Sequence, residues 1–182
     1  MVKKVFITDC EGPLTLNDNA YELADEFIED GGKLFKIISR FDDYLVDDVK
    51  LENYHAGDTL KLIVPFYKLA GLTNEKMIKF SRENIYLVDG SDDTLRFANE
   101  LIDSFIVSTS YGQYIEALSN YMEFPFENTY YTKVDVDALS LNEDELSKIA
   151  QFKVQILVHF LNLEILRVRC SIGTHNAVKA GG

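Results

Sequence analysis

Val5-Phe6-Ile7-Thr8-Asp9-Cys10-Glu11-Gly12-Pro13 is the stretch on which the reading of this chain turns. Its first four residues are uncharged and β-forming, and they stop at an acid followed by Gly-Pro, the pattern of a buried strand that ends in a turn. Asp9 is thereby placed at the carboxyl tip of the strand, with Glu11 two residues further on. A second strand signal, Phe105-Ile106-Val107, ends in Ser108-Thr109-Ser110, and a third strand is expected from about Asn128 to Val136.

Helical periodicity fills the rest of the chain. Ala20, Leu23, Ala24, Phe27 and Ile28 recur at helical spacing and Gly31-Gly32 closes the pattern. Further helices are expected from Leu34 to Val49, from Thr59 to Leu69 before Gly71, and from the caps Thr73 and Asn74 through Ser81. Ser91 offers a cap for a helix carrying Leu95, Phe97, Ala98, Leu101 and Ile102, and another helix runs from Gln113 to Tyr121. Ser140-Leu141-Asn142-Glu143 has the form of a capping box ahead of a long helix to about Leu163, after which Ile165 to Ile172 reads as a last strand. Alternating strands and helices predict an α/β fold: a Rossmann-like parallel sheet covered by helices, with a helical block inserted after the first strand. Residues 1–16 and 86–182 would form the α/β core and 17–85 the helical block.

A chain of 182 residues can build one domain with a modest insertion, and 47% apolar and 12% aromatic residues mark it as globular rather than disordered. The net charge of −12, with no basic stripe, repels phosphate backbones and anionic lipid and argues against a nucleic-acid partner. An acidic protein that handles a phosphorylated small molecule needs local positive potential, so a divalent cation is expected. Cys10 and Cys170 suggest neither a disulfide framework nor a zinc site, and His55, His159 and His175 lack ligand-like spacing, which points to a reducing compartment. The short apolar run before Asp9 is no signal-peptide core. The run from Val154 to Leu166 is broken by Gln155, His159, Asn162 and Glu164 and falls short of a membrane span. The expectation is a soluble, cytoplasmic protein with no membrane insertion.

Ligands of open parallel sheets bind beyond the carboxyl ends of the strands. A carboxylate placed there can attack phosphorus and form an aspartyl phosphate. A second carboxylate nearby can protonate the leaving oxygen, and hydroxyls on the neighbouring strand tip can hold phosphoryl oxygens. Asp9, Glu11 and Ser108, with Thr109 beside it, fit these three jobs. Each also has a plainer reading: Asp9 as a turn residue, and Ser108 to Ser110 as caps of the helix that follows. Asp42-Asp43 and Asp47-Asp48 read as a solvated face, Arg40 as a surface ion-pair partner and His159 as a boundary residue of the long helix.

Thr8-Asp9-Cys10-Glu11-Gly12 resembles the first motif of the haloacid dehalogenase (HAD) superfamily, and Phe105-Ile106-Val107-Ser108 resembles the second. The helical block between them stands where phosphoserine-phosphatase-like members carry a small cap, and Gly71-Leu72-Thr73 before an acidic helix is similar to part of that cap. With Tyr44-Leu45, Thr59-Leu60-Lys61-Leu62 and the run from Ser108 to Tyr114, the chain resembles an archaeal branch of the superfamily over about residues 4–137. Some members of that branch carry the name energy-converting hydrogenase A subunit R.

The resemblance implies Asp9 as nucleophile, Glu11 as general acid and base, Ser108 and Thr109 as phosphate ligands, and Mg²⁺ held by Asp9 and Glu11. The chain also departs from the pattern. Glu11 stands where Asp is usual and Pro13 where Thr or Val is usual. A later Lys and a later strand ending in metal-binding acids have no counterpart, since no Asp or Glu follows Glu164. Ser171-Ile172 with Ala177 to Gly182 echoes the segment around that acidic motif without its acids, which implies a core incomplete at its C-terminal end. Asp135 and Asp137 are the candidate replacement acids, and Lys133 or Lys153 the candidate cation. The expected activity is Mg²⁺-dependent hydrolysis of a small phosphorylated metabolite, phosphoserine being one candidate. The alternative is a degenerate or truncated HAD-fold binding protein, as a homodimer or as an accessory to a redox complex.

Overall fold

Three parallel strands form the sheet: β1 (Val5–Thr8), β2 (Asp103–Tyr111) and β3 (Thr129–Thr132), in the order β1-β2-β3. The computed structural model that gives this arrangement describes residues 4–159. The chain divides into two compact units, one ending at Ser140 and one beginning at Leu141. In the first, Thr8 is in register with Ile106 and Ile106 with Thr129, so all three strands point their carboxyl ends to the same edge.

Five helices make up the block inserted after β1: α1 (Asn19–Phe27), α2 (Gly31–Asp43), α3 (Thr59–Leu62), α4 (Val64–Leu69) and α5 (Asn74–Glu83). Asp18 caps α1 by accepting the Tyr21 N–H at 3.1 Å, and Thr73 caps α5 by accepting that of Lys76 at 3.2 Å. The helix expected from Leu34 to Val49 is α2 followed by a π-helical turn over Tyr44–Val49. The one expected from Thr59 to Leu69 divides around Ile63, because Pro65 lacks the N–H that a continuous helix needs there. After α5 come α6 (Ser91–Leu101), β2, α7 (Gly112–Met122) and β3. Ser91 does not cap α6: Gly90 takes that place, and the Ser91 hydroxyl donates instead to the Leu14 carbonyl at 2.9 Å.

Leu95 of α6 and Tyr114, Ile115, Leu118 and Met122 of α7 close over Ile106, Cys10 and Leu14, with Phe6 against them, to make the core of the sheet. The other face of the sheet carries Val5 and Ile7, 45% and 60% exposed, so the strand expected to be buried is buried on one side only. A second apolar cluster lies among the helices, where Leu23, Leu34, Ile63, Tyr67, Leu72 and Met77 are fully buried. The two chain segments joining helices to sheet are clasped together: Leu16 N–H donates to Tyr86 O at 2.8 Å and Val88 N–H to Leu14 O at 2.9 Å.

β3 stops at Thr132, short of the expected Val136. Asp135 draws the chain away by accepting from Asn74 Nδ2 at 2.7 Å and from the Ala138 N–H at 3.0 Å. In the second unit a helix, α8, occupies 143–159. Its capping box is Asn142 with Glu145, two residues beyond the Ser140 and Glu143 expected: each accepts the other's N–H at 2.9 Å. Asn caps as well as Ser, and both partners of the Asn142 pair are in place. The strand expected from Ile165 to Ile172, and the end of the long helix at Leu163, lie outside the described residues. Among the described residues no helix is long and apolar enough to cross a membrane.

Candidate active site

Parallel pairing brings the ends of β1 and β2 side by side, and the turn after β1 brings its acids to the same edge. Gly12 has φ +95°, a conformation a side chain would strain, and its N–H closes on Thr15 O at 2.8 Å. Asp9 is exposed at the strand tip, and its Oδ1 accepts the Cys10 N–H at 2.6 Å. Cys10 itself points into the core, where burial pushes its thiol up to about 12, so it stays a protonated packing residue.

Glu11 turns inward, beneath the helices. Its Oε1 accepts the Ser110 hydroxyl at 2.7 Å and is approached by the Asn19 N–H at 3.4 Å. Burial raises its carboxyl above the ordinary range, opposed by the Ser110 hydrogen bond; the charges of Asp18 and Asp9 add to the rise, and the Asn19 N–H opposes it. The carboxyl of Asp18 is raised by burial too. A half-buried acid held closer to its neutral form is suited to giving up and taking back a proton.

The second strand bulges where it reaches this acid. Val107 pairs with Tyr130, but the next pair is Tyr111 with Thr132, so Ser108, Thr109 and Ser110 of β2 span the length that Tyr131 alone spans on β3. Bulges of this kind re-aim side chains beside active sites. The Ser108 hydroxyl accepts the Ser110 N–H at 3.1 Å, holding the bulge in shape, and Thr109 projects beneath Gly57. A Cβ on Gly57 would sit 3.2 Å from Thr109 Cγ2, and this glycine has φ +89°, so the loop before α3 approaches the strand tip as closely as it can. Asp42 anchors that loop by accepting the Gly57 N–H at 2.9 Å.

Between these parts lies a cavity of about 180 Å³, lined on the sheet side by Glu11, Thr109 and Ser110 and on the helix side by Asp18, Phe35, Ile38, Ser39, Asp42 and Leu60. Of the expected site residues, Glu11 and Thr109 line it, while Asp9 and Ser108 stand at the adjoining strand tips; Asp42, expected on a solvated face, lines it too because it turns in to hold the Gly57 N–H. Ser110, which touches Glu11 directly, escaped the sequence reading because two bulged hydroxyls precede it and nothing in their spacing marks which of the three turns inward. Lys133 and Asp135 line a separate groove of about 450 Å³ along α5 and α7. Asp137 lies against the start of α5, where its carboxylate accepts the Asn74 N–H at 3.3 Å. Lys153 belongs to α8 in the second unit. Arg40 and Lys36 border another hollow of about 460 Å³, which shares Asp18, Phe35 and Ser39 with the cavity at Glu11.

Mg²⁺ takes near-octahedral oxygen coordination. Among the described residues no three His, Cys, Asp or Glu side chains come together as metal ligands. Asp9 offers one carboxylate, already shared with the Cys10 N–H, and Glu11 is occupied by Ser110 and Asn19. This donor set does not by itself fit a divalent-cation site.

No protein-family model matches the chain, and no curated protein matches it. Solved structures do. The gene product AF1437 of Archaeoglobus fulgidus is 29% identical and superposes with a TM-score of 0.77 over 84% of this chain and 48% of that one. A phosphoserine phosphohydrolase-like protein of Francisella tularensis subsp. tularensis SCHU S4 is 17% identical, with a TM-score of 0.54 over 79% of this chain and 62% of its own. The fold is HAD-like. The chain spans about half the length of the Archaeoglobus protein and under two thirds of the Francisella one.

Proposed function

We propose that this chain is a HAD-type phosphohydrolase domain acting on a small phosphomonoester. The observation that carries the reading is the placement of Glu11: a half-buried acid, hydrogen-bonded to the tip of β2, two residues after the exposed Asp9 at the tip of β1. Nucleophile and acid must not be equivalent, and these two environments differ as the chemistry requires. In the first step an Asp9 oxygen attacks phosphorus, the ester P–O bond breaks, and Glu11 gives its proton to the leaving oxygen. In the second, water attacks phosphorus, its proton goes to the Glu11 carboxylate, and the bond to Asp9 breaks to release phosphate. Ser108 and Thr109 are the proposed ligands of the transferring group.

The cavity volume and its mixed acidic and apolar wall suit a small metabolite, and the name of the Francisella protein makes phosphoserine the first ester to try. Residues 4–159 do not complete a Mg²⁺ site, so no step is routed through the ion and its requirement is left to the assay. The sparse donor set around Asp9 favours the second reading, an anion-binding or accessory domain without turnover.

The test is hydrolysis of p-nitrophenyl phosphate and of phosphoserine, with and without Mg²⁺, beside Asp9→Asn purified identically. The phosphohydrolase reading expects a rate that Asp9→Asn lowers by on the order of a thousandfold or more, as loss of a nucleophile does. A rate that survives the substitution contradicts the assignment of Asp9, and no rate on either ester selects the second reading.

A further inference from the structure

Ser110 has a hydroxyl with one evident task. It is 3% exposed, it sits on the bulged end of β2, and its Oγ donates to Glu11 Oε1 at 2.7 Å. It is not used to start the following helix: Tyr111 is the N-cap of α7 and no side chain caps that end. Nor is it left to shape the bulge, which the Ser108 hydroxyl does by accepting the Ser110 N–H. Ser110 and Tyr111 are both buried, so the strand's alternation is broken at the point that turns the serine to the acid.

Glutamate is one methylene longer than aspartate and has one more torsion to immobilise, so an acid of that length at a reaction centre needs an anchor. Both hydrogen bonds to the Glu11 carboxyl, from the Ser110 hydroxyl and from the Asn19 N–H, converge on Oε1. Oε2 has no hydrogen-bond partner among the described residues, and Glu11 lines the cavity. With Oε1 accepting from two donors, the carboxylic proton belongs on Oε2.

We propose that Ser110 is a positioning residue for proton delivery: its hydrogen bond locks Glu11 so that Oε2 faces the oxygen of the leaving group. This rests on the phosphohydrolase reading above. When the ester P–O bond breaks, the proton on Oε2 moves to the leaving oxygen, and in the second step Oε2 takes a proton from the attacking water. Ser110 itself neither gains nor loses a proton.

The role is separable from mere support of the fold by varying the leaving group. An alkyl alkoxide leaves poorly and depends on an acid, whereas p-nitrophenolate leaves well and depends on it far less. The experiment compares kcat/KM, which reports the first step, for p-nitrophenyl phosphate and for an alkyl phosphate such as phosphoserine, in wild type, Ser110→Ala and Ser110→Cys. Ser110→Ala is expected to lose at least about tenfold more on the alkyl ester than on the aryl ester, a fraction of what general acid catalysis supplies. Ser110→Cys, which keeps the volume and weakens the donor, is expected to show the same bias to a smaller degree. Equal losses on the two esters in both variants overturn the positioning role while leaving the phosphohydrolase reading intact. A wild type that hydrolyses neither ester overturns both.

Discussion

At the scale of the residue, the informative contrast is between two acids two positions apart. Asp9 is exposed, while Glu11 is half-buried and its carboxyl is raised by that burial. A carboxyl raised in the folded state binds its proton where the unfolded chain has released it. The stability it contributes is therefore fully present below the ordinary carboxylate range and is lost as pH rises through the folded value. Glu11→Gln removes this dependence. In denaturant titrations across acidic to neutral pH, the variant is expected to gain stability relative to the wild type as pH rises; a stability difference constant with pH would contradict the burial argument. That Asp9 and Glu11 flank a strand tip was legible in the sequence, because a β-forming run, an acid and Gly-Pro leave little else to read. That Ser110 rather than Ser108 meets Glu11 was not, since it depends on a bulge whose origin lies in the pairing of β2 with β3.

At the scale of the element, the joint between helices and sheet rests on Asn17. Its side-chain oxygen accepts the Tyr86 N–H at 2.8 Å and the Tyr114 hydroxyl at 3.1 Å, and its amide donates to Glu22. One side chain thus ties the segment leaving β1, the segment returning toward α6 and helix α7. Asn17→Ala would strand the buried Tyr114 hydroxyl and the part-buried Tyr86 N–H, and a loss of about 1–3 kcal/mol in unfolding free energy is expected, measurable by urea denaturation. A loss within about 0.5 kcal/mol, as for an ordinary surface change, would show that the joint is held otherwise. Helix positions were readable from apolar spacing at 3.6 residues, but three boundaries moved for local reasons. Pro65 divides the helix expected from Thr59, Asp135 pulls the chain off β3, and Asn142 with Glu145 replaces the capping box expected at Ser140. In the last two cases a partner far away or a few residues on outbid a local preference that was also present.

At the scale of the whole molecule, the order of strands and helices carried the fold. A strand, a helical block, a second strand, a crossover helix and a third strand give a parallel sheet, and parallel sheets gather their loops at one edge. The acidic strand tip, the hydroxyl-bearing strand tip and the helical segment therefore meet at one cavity although some 100 positions separate Glu11 from Ser110 in sequence, 99 by count. The metal site is the part of the expectation that residues 4–159 do not supply, because it calls for several acids at one point and the described chain brings together Asp9 and an already engaged Glu11. Nucleophilic attack by Asp9 requires a covalent bond between its carboxylate oxygen and phosphorus during turnover. It is tested most directly by quenching the enzyme in acid during turnover of p-nitrophenyl phosphate with Mg²⁺ present, reducing the acyl phosphate with borohydride and sequencing the peptides by mass spectrometry. Homoserine is expected in place of aspartate at position 9; turnover with an unmodified Asp9, or with the modification on another acid, would contradict Asp9 as the nucleophile.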